Sequence, residues 1–268
     1  MTDAKSNTGD ETTNAVKLET IGLTRRFGEL VANEKIDLGI REGELRAIIG
    51  PNGAGKTTLF NMIAGTLSPS EGNVRYEGAD IIHLPPEDRA QRGLARSYQS
   101  NQLFFDVTVL ENVRLAAQAA ELGSFAFSLF SRAESFQLER AEEIIELVGL
   151  EDVRTTHAKN LSHGDQRKLG IAVALATNPE TLLLDEPTSG MGSAETDQTA
   201  ALIERIHKQL DLTVLLIEHD MSVVLSISDR ISVLHRGSLL ATGTPQEIRE
   251  NQDVQEAYLG GLREEEIR

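Results

Sequence analysis

Gly50-Pro51-Asn52-Gly53-Ala54-Gly55-Lys56-Thr57 is the stretch on which the fold of this sequence turns. It fits the pattern G-x-x-x-x-G-K-[ST]. A continuous apolar run, 45–49, leads into it, and Leu59, Ile63 and Leu67 recur every four residues beyond it. A buried strand therefore enters a Gly-rich turn, and the turn opens an amphipathic helix. Glycine lets the backbone curl until its N–H groups converge on one point, and the helix N-terminus adds partial positive charge there. Such a concavity suits phosphate oxygens. Lys56 is placed to reach β and γ phosphates, and the Thr57 hydroxyl is the hard oxygen donor that Mg²⁺ prefers. Gly50, Pro51, Asn52, Gly53, Ala54, Gly55, Lys56, Thr57 and Thr58 form the candidate nucleotide-binding set, with ATP and Mg²⁺ as the expected ligands.

Two further apolar runs, 181–184 and 212–217, are also continuous and end at polar residues, as fully buried parallel strands do. Helical patterns cover roughly 166–176 and 194–210. Strand followed by helix, repeated, predicts an α/β fold around a parallel sheet. From Val109 to Asn178 the signals are mainly helical, with amphipathic stretches at 111–121 and 139–148. The expectation is one domain, 17–268, into which a helical subdomain of about 105–178 is inserted. Residues 1–16 are expected to form a disordered polar tail, because they offer little to bury.

The second run ends Leu182-Leu183-Leu184-Asp185-Glu186. Strand ends of this kind carry ligand-binding groups in doubly wound sheets. Asp185 can hold Mg²⁺, directly or through water, and Glu186 can polarise a water that attacks the γ phosphate. The third run ends at His219, which could donate a hydrogen bond to the same phosphate. Alone, an acidic strand end or a single histidine reads as ordinary solvated or structural polarity; beside a phosphate cradle, Glu186, His219 and Lys56 become the candidate catalytic set.

Composition narrows the class. The chain has 268 residues and no cysteine, which excludes disulfides and thiolate chemistry. No apolar run approaches the roughly 18–20 residues that span a bilayer, and Met1–Val16 has no signal-peptide apolar region. Any membrane role is therefore expected to come through a partner chain. Forty-two acids against 26 bases give a net charge of −16, the wrong balance for a nucleic-acid partner. Only seven of the bases are lysine. An acidic, lysine-poor surface reads as adaptation to high salt, where screening relieves self-repulsion; an ordinary acidic cytosolic protein has a similar balance.

Other stretches carry a resemblance. Leu161-Ser162-His163-Gly164-Asp165-Gln166 resembles the signature motif of ABC ATPases, and it lies just upstream of the acidic strand, as in that family. Gln99, after Ser97-Tyr98, looks like the family's glutamine loop, and Glu218-His219-Asp220 like its histidine switch. Phe27 stands where the family stacks an aromatic ring on adenine. Residues 95–113, 184–191 and 243–260 are similar to the ATP-binding subunits of branched-chain amino acid importers. Urea-type importers and lipopolysaccharide-export ATPases have related sequences. Non-transport ABC ATPases differ: repair members carry long coiled coils and translation members two cassettes, and this chain has neither.

The resemblance implies a P-loop NTPase cassette with a parallel-sheet core, an antiparallel β subdomain and an inserted helical subdomain. It implies that Gln99 contacts Mg²⁺ and senses the γ phosphate. Ser162 and Gly164 would face an ATP molecule held by a second cassette, usually a similar but different chain. It also implies permease subunits, hence a place on the cytoplasmic face of a membrane, and import of branched-chain or other amino acids. Ser162 and Asp165 fit the [ST]-x-x-[DE] capping-box pattern. Three departures from the family pattern stand out: His163 for glycine, Asp165 for glutamine, and Gly192 where many cassettes carry aspartate. Phe125, Phe127, Leu129, Phe130 and Phe136 are a local apolar concentration that fits either a permease-docking surface or a loop packed on its own helix.

Overall fold

The computed structural model describes residues 15–97, 103–123 and 130–259, with side chains left out of account at 121–123, 130–136 and 258–259. Of the expected tail, residues 1–14 lie outside the described residues; Val16 does not belong to a tail, because it already pairs with Arg41 in the first strand.

Two sheets organise the chain. The smaller is antiparallel, in the order β2-β1-β4-β5, built from β1 (Val16–Phe27), β2 (Leu30–Arg41), β4 (Glu71–Tyr76) and β5 (Ala79–Asp80). The larger contains β3 (Leu45–Ile49), β6 (Leu94–Arg96), β7 (Thr181–Asp185), β8 (Thr213–Ile217), β9 (Arg230–His235) and β10 (Ser238–Gly243), in the order β10-β9-β3-β8-β7-β6. Its strands from β9 to β6 are mutually parallel, and β10 closes one edge antiparallel to β9.

The continuous apolar runs have a two-sided explanation. Along β7, Leu182 and Leu184 face one core while Leu183 faces the other; along β8, Val214 and Leu216 face the first, and Leu215 and Ile217 the second. The first core is covered by α3 (Val109–Gly123), α4 (Phe130–Val148), α5 (His163–Ala176) and α6 (Ser193–Leu210). The second lies under the antiparallel sheet and contains α1 (Lys56–Ala64), through Leu59, Phe60 and Ile63. With no face left to water, alternation has nothing to report. Each such leucine or isoleucine contributes about 1.5–3 kcal/mol by burial.

The first helix is shorter than its sequence pattern suggests. It ends at Ala64, where Gly65 takes φ 85, and Leu67 packs on the core from the turn beyond. A buried arginine seals this end. Arg89, on α2 (Pro86–Gln91), donates to the carbonyls of Met62 at 2.8 Å, Leu84 at 2.9 Å and Ile82 at 3.2 Å, and also to that of Ile63. Two of these, Met62 and Ile63, are carbonyls of the kind that a helix C-terminus leaves unpaired, and Arg89 is itself buried. Arg89→Met keeps the apolar stem but leaves the Ile63 carbonyl without its donor, at about 1–3 kcal/mol for a buried unpaired acceptor, with smaller losses at Met62, which keeps the Gly65 N–H, and at half-buried Ile82 and Leu84. Urea unfolding is expected to show a loss of about 2–4 kcal/mol with an unchanged m-value.

Candidate nucleotide and catalytic site

Because β3, β7 and β8 run parallel, their C-terminal ends emerge on one edge of the sheet. There β3 leads into the 50–57 turn, β7 into Asp185-Glu186 and β8 into Glu218-His219. Segments far apart in the sequence thus meet at one place.

The turn is held tightly from below. Gly55 has φ 97, and a Cβ there would lie 2.4 Å from the Ala32 carbonyl oxygen and 2.5 Å from Asn33 Nδ2. Gly50 has φ 153, and a Cβ there would lie 2.2 Å from the Leu234 carbonyl oxygen. Glycine is required at both positions, for packing as much as for dihedral freedom. Lys56 is buried and donates to the carbonyls of Gly50 at 2.7 Å and Pro51 at 3.2 Å. Burial lowers its pKa from the usual lysine value, while the carboxylates of Glu186 and Asp185 push it back up. The ammonium is therefore folded into the mouth of its own loop, within electrostatic reach of both acids.

Opposite the turn, Glu186 Oε1 lies 2.6 Å from His219 Nε2. An ionised carboxylate only accepts, so Nε2 carries the proton and the imidazole donates. Glu186 sits at φ 49, a left-handed conformation that costs a residue with a side chain roughly 1–2 kcal/mol. Its backbone is pinned there. Its N–H donates to the Ile217 carbonyl at 2.9 Å, and its own carbonyl accepts from Arg167 at 2.6 Å and from the Ser189 N–H at 3.2 Å. Glu218 is 2% exposed and accepts from the Thr188 N–H at 2.8 Å, the Thr188 hydroxyl at 2.6 Å and the His219 N–H at 2.9 Å. It ties the turn after β7 to the turn after β8. Asp220 then caps α7 (Met221–Ile227) by accepting from the Ser222 N–H at 2.8 Å.

A cavity of about 350 Å³ is lined by Phe27, the turn from Asn52 to Thr58, Glu186 and His219. Phe27 is 46% exposed, and the Arg25 guanidinium carbon lies 4.5 Å from its ring centroid. Gly50 and Pro51 lie deeper in the turn, where they accept from Lys56. Asp185 is not among the lining residues; its Oδ2 accepts from Arg96 at 2.6 Å. Ser162 and Gly164 are not brought to this cavity either: they lie at the start of α5. Gln99 lies outside the described residues, as do Phe125, Phe127 and Leu129, while Phe130 and Phe136 lie where only the backbone of α4 is described.

Ser162 caps α5, accepting from the Asp165 N–H at 3.1 Å. The return bond of the expected capping box is replaced: the Ser162 hydroxyl donates to Asp165 Oδ2 at 2.8 Å, and Lys168 lies 3.6 Å from Asp165 Oδ1. The carboxylate thus has a hydroxyl and a cation beside it. Gly192, the N-cap of α6, has φ −75, and among the described residues no atom lies within 4 Å of an added Cβ, so none of them demands glycine there.

The oxygen donors fit a divalent ion that arrives with its nucleotide. Thr57 Oγ1 and the Asp185 carboxylate are hard ligands, and among the described residues no cluster of three or more His, Cys, Asp or Glu could hold a metal alone. Sequence reasoning missed Arg96, Arg167 and Arg89. Each acts through guanidinium hydrogen bonds that reach another element, for which no local pattern exists.

A glycine-lined phosphate turn on the central parallel strand β3, with Glu218-His219 after the adjacent strand β8 and Asp185-Glu186 at the end of β7 beyond it, has the layout of a P-loop ATPase cassette. Residues 33–189 match the family model described as ABC transporter, and residues 238–262 match the one described as branched-chain amino acid ATP-binding cassette transporter. The chain is 43% identical, over 91% of its length and 97% of the relative, to the high-affinity branched-chain amino acid transport ATP-binding protein BraF of Pseudomonas aeruginosa. It is 44% identical, over 89% of its length and 96% of the relative, to the corresponding protein LivG of Salmonella typhimurium. A crystal structure of the ADP conformation of an ATP-binding cassette of an ABC transporter superposes with a TM-score of 0.79 at 28% identity, covering 92% of this chain and 99% of that one. The chain belongs to the ABC transporter family of ATP-binding cassettes, and it is an ATPase of that family.

Gly55→Ala is expected to weaken ATP binding at least about tenfold, because the turn must open by about an ångström to clear the Ala32 carbonyl. Isothermal titration calorimetry on protein that retains its far-UV circular dichroism spectrum measures this.

Proposed function

We propose that this chain is the ATP-hydrolysing subunit of an importer for branched-chain or related amino acids. The observation that carries the catalytic part is the Glu186–His219 pair at 2.6 Å, facing the phosphate turn across one cavity. In this reading ATP lies with its adenine against Phe27 and its phosphates in the turn. Lys56 leaves the Gly50 and Pro51 carbonyls for the β and γ phosphates, an exchange of neutral acceptors for charged ones that strengthens each bond. Glu186 orients the attacking water, its left-handed backbone aiming the carboxylate at the turn. The His219 Nε2–H, which holds that carboxylate in place while no nucleotide is bound, turns to donate to the γ phosphate when ATP arrives. Thr57 and Asp185, with Gln99, would hold Mg²⁺, which when bound neutralises charge on the phosphate oxygens.

A second cassette completes the site. Gly164 lies in a helix without positive φ, and a Cβ there would meet nothing closer than Glu195 Oε1 at 3.8 Å. Among the described residues nothing requires glycine at 164, and the open space there leaves room for the reading that Ser162 and Gly164 close over ATP on a partner cassette. Closure by ATP and reopening after hydrolysis follow if nucleotide binds the closed state more tightly. Among the described residues no helix is long and apolar enough to cross a membrane, so the transport path is assigned to permease subunits that the cassette joins at the cytoplasmic face. The match of 238–262 to the branched-chain cassette model, together with the names of the relatives, supports amino acids as the cargo. The net charge of −16 with seven lysines supports work at high salt.

Glu186→Gln is expected to bind ATP at near wild-type affinity, to lose turnover by at least about a hundredfold, and to elute as a dimer in ATP. Normal phosphate release by this variant removes Glu186 from the water-orienting role. Lys56→Ala is expected to raise the ATP dissociation constant about tenfold or more, through loss of a charge-assisted contact.

A further inference from the structure

The Asp185 carboxylate is already engaged before any nucleotide arrives. Arg96, the last residue of edge strand β6, sends Nη2 to Asp185 Oδ2 at 2.6 Å and Nη1 to Asn61 Oδ1 on α1 at 2.7 Å. The two side chains are 13% and 8% exposed, so the pair is shielded from water and weakly screened. The Arg96 guanidinium carbon also lies 6.0 Å from the centroid of the fully buried Phe60 ring. The fork is thus clamped between the helix that follows the phosphate turn and the strand that carries the acids. Among the described residues Arg96 is the one ion-pair partner of Asp185, and Oδ1 makes no hydrogen bond.

We propose that Arg96 is a positioning residue for the metal-side carboxylate: it neutralises Asp185 in the nucleotide-free cassette, fixes it through Oδ2, and so sets how strongly nucleotide binding depends on a divalent ion. The inference rests on the ATPase reading above. Among the described residues, Asp185 without Arg96 would keep only the Lys56 ammonium, beyond ion-pair distance, as a counter-charge, and would oppose incoming phosphates until a bound cation offset it. With Arg96 in place part of that compensation is built in, so nucleotide binds appreciably even without metal. Asn61 matters because its carbonyl oxygen holds the second arm of the guanidinium, and a planar fork held at two points orients its partner in a way a point charge does not.

The test compares ADP dissociation constants by calorimetry in EDTA and in excess magnesium, in wild type, Arg96→Gln and Arg96→Lys. Arg96→Gln is expected to raise the ratio of the EDTA constant to the magnesium constant at least about tenfold, mostly by weakening metal-free binding. Arg96→Lys, which keeps the charge, is expected to hold the ratio within about threefold of wild type. A role confined to packing would weaken binding equally in both media, and an unchanged ratio in folded Arg96→Gln overturns the inference. If Arg96→Gln does not fold, Asp185→Asn is compared with the Asp185→Asn, Arg96→Gln double variant. The proposal requires equal ratios in these two, and a further change beyond about threefold overturns it. Absence of ADP binding by wild type in magnesium would instead overturn the ATPase reading.

Discussion

Burial of β3, β7 and β8 on both faces is the constraint on which the rest depends. Fully covered parallel strands cannot slip in register or turn a face to water without exposing leucine and isoleucine. Their C-terminal ends are therefore rigid posts in one row. The phosphate turn, Asp185-Glu186 and Glu218-His219 stand on those posts, and their mutual distances are set by strand spacing rather than by the loops themselves. A site assembled from three loops gains the precision of the sheet.

Rigidity permits strain where the chemistry needs it. Glu186 occupies a left-handed conformation that its side chain disfavours, and three backbone bonds from β8, α5 and the following turn hold it there. Arg167 makes one of these bonds from the helix that Ser162 caps, so the first turns of that helix and the backbone of Glu186 are mechanically joined. Glu218 makes the corresponding joint between the turns after β7 and β8. A displacement of α5 would therefore reach Glu186 through the Arg167 hydrogen bond.

Charge is handled by partner exchange throughout the site. Lys56 rests on two carbonyls, Asp185 on Arg96, Asp165 on Ser162 and Lys168, and Glu186 on His219. Each of these charged groups has a partner within the chain. Replacing one partner by another avoids an isolated buried charge at any stage, whose desolvation would outweigh any hydrogen bond the nucleotide could supply.

The sequence by itself determined the three buried strands, the phosphate turn, the acidic strand end and the helices after them. It did so because continuous apolar runs and Gly-x-x-x-x-Gly-Lys-Thr are local patterns with one physical solution each. The runs 45–49 and 212–217 read as strands, and 45–49 and 213–217 are strands, for the same reason: both faces are covered. Only the tertiary structure decided that Asp185 answers to Arg96 rather than standing open, that Ser162 turns its hydroxyl proton toward Asp165, that helix α1 stops at Gly65 against Arg89, and that Ser162 lies away from the chain's own phosphate turn. Those facts rest on side chains reaching between segments and on how whole elements pack, and no spacing rule specifies where an arginine's far end will come to rest.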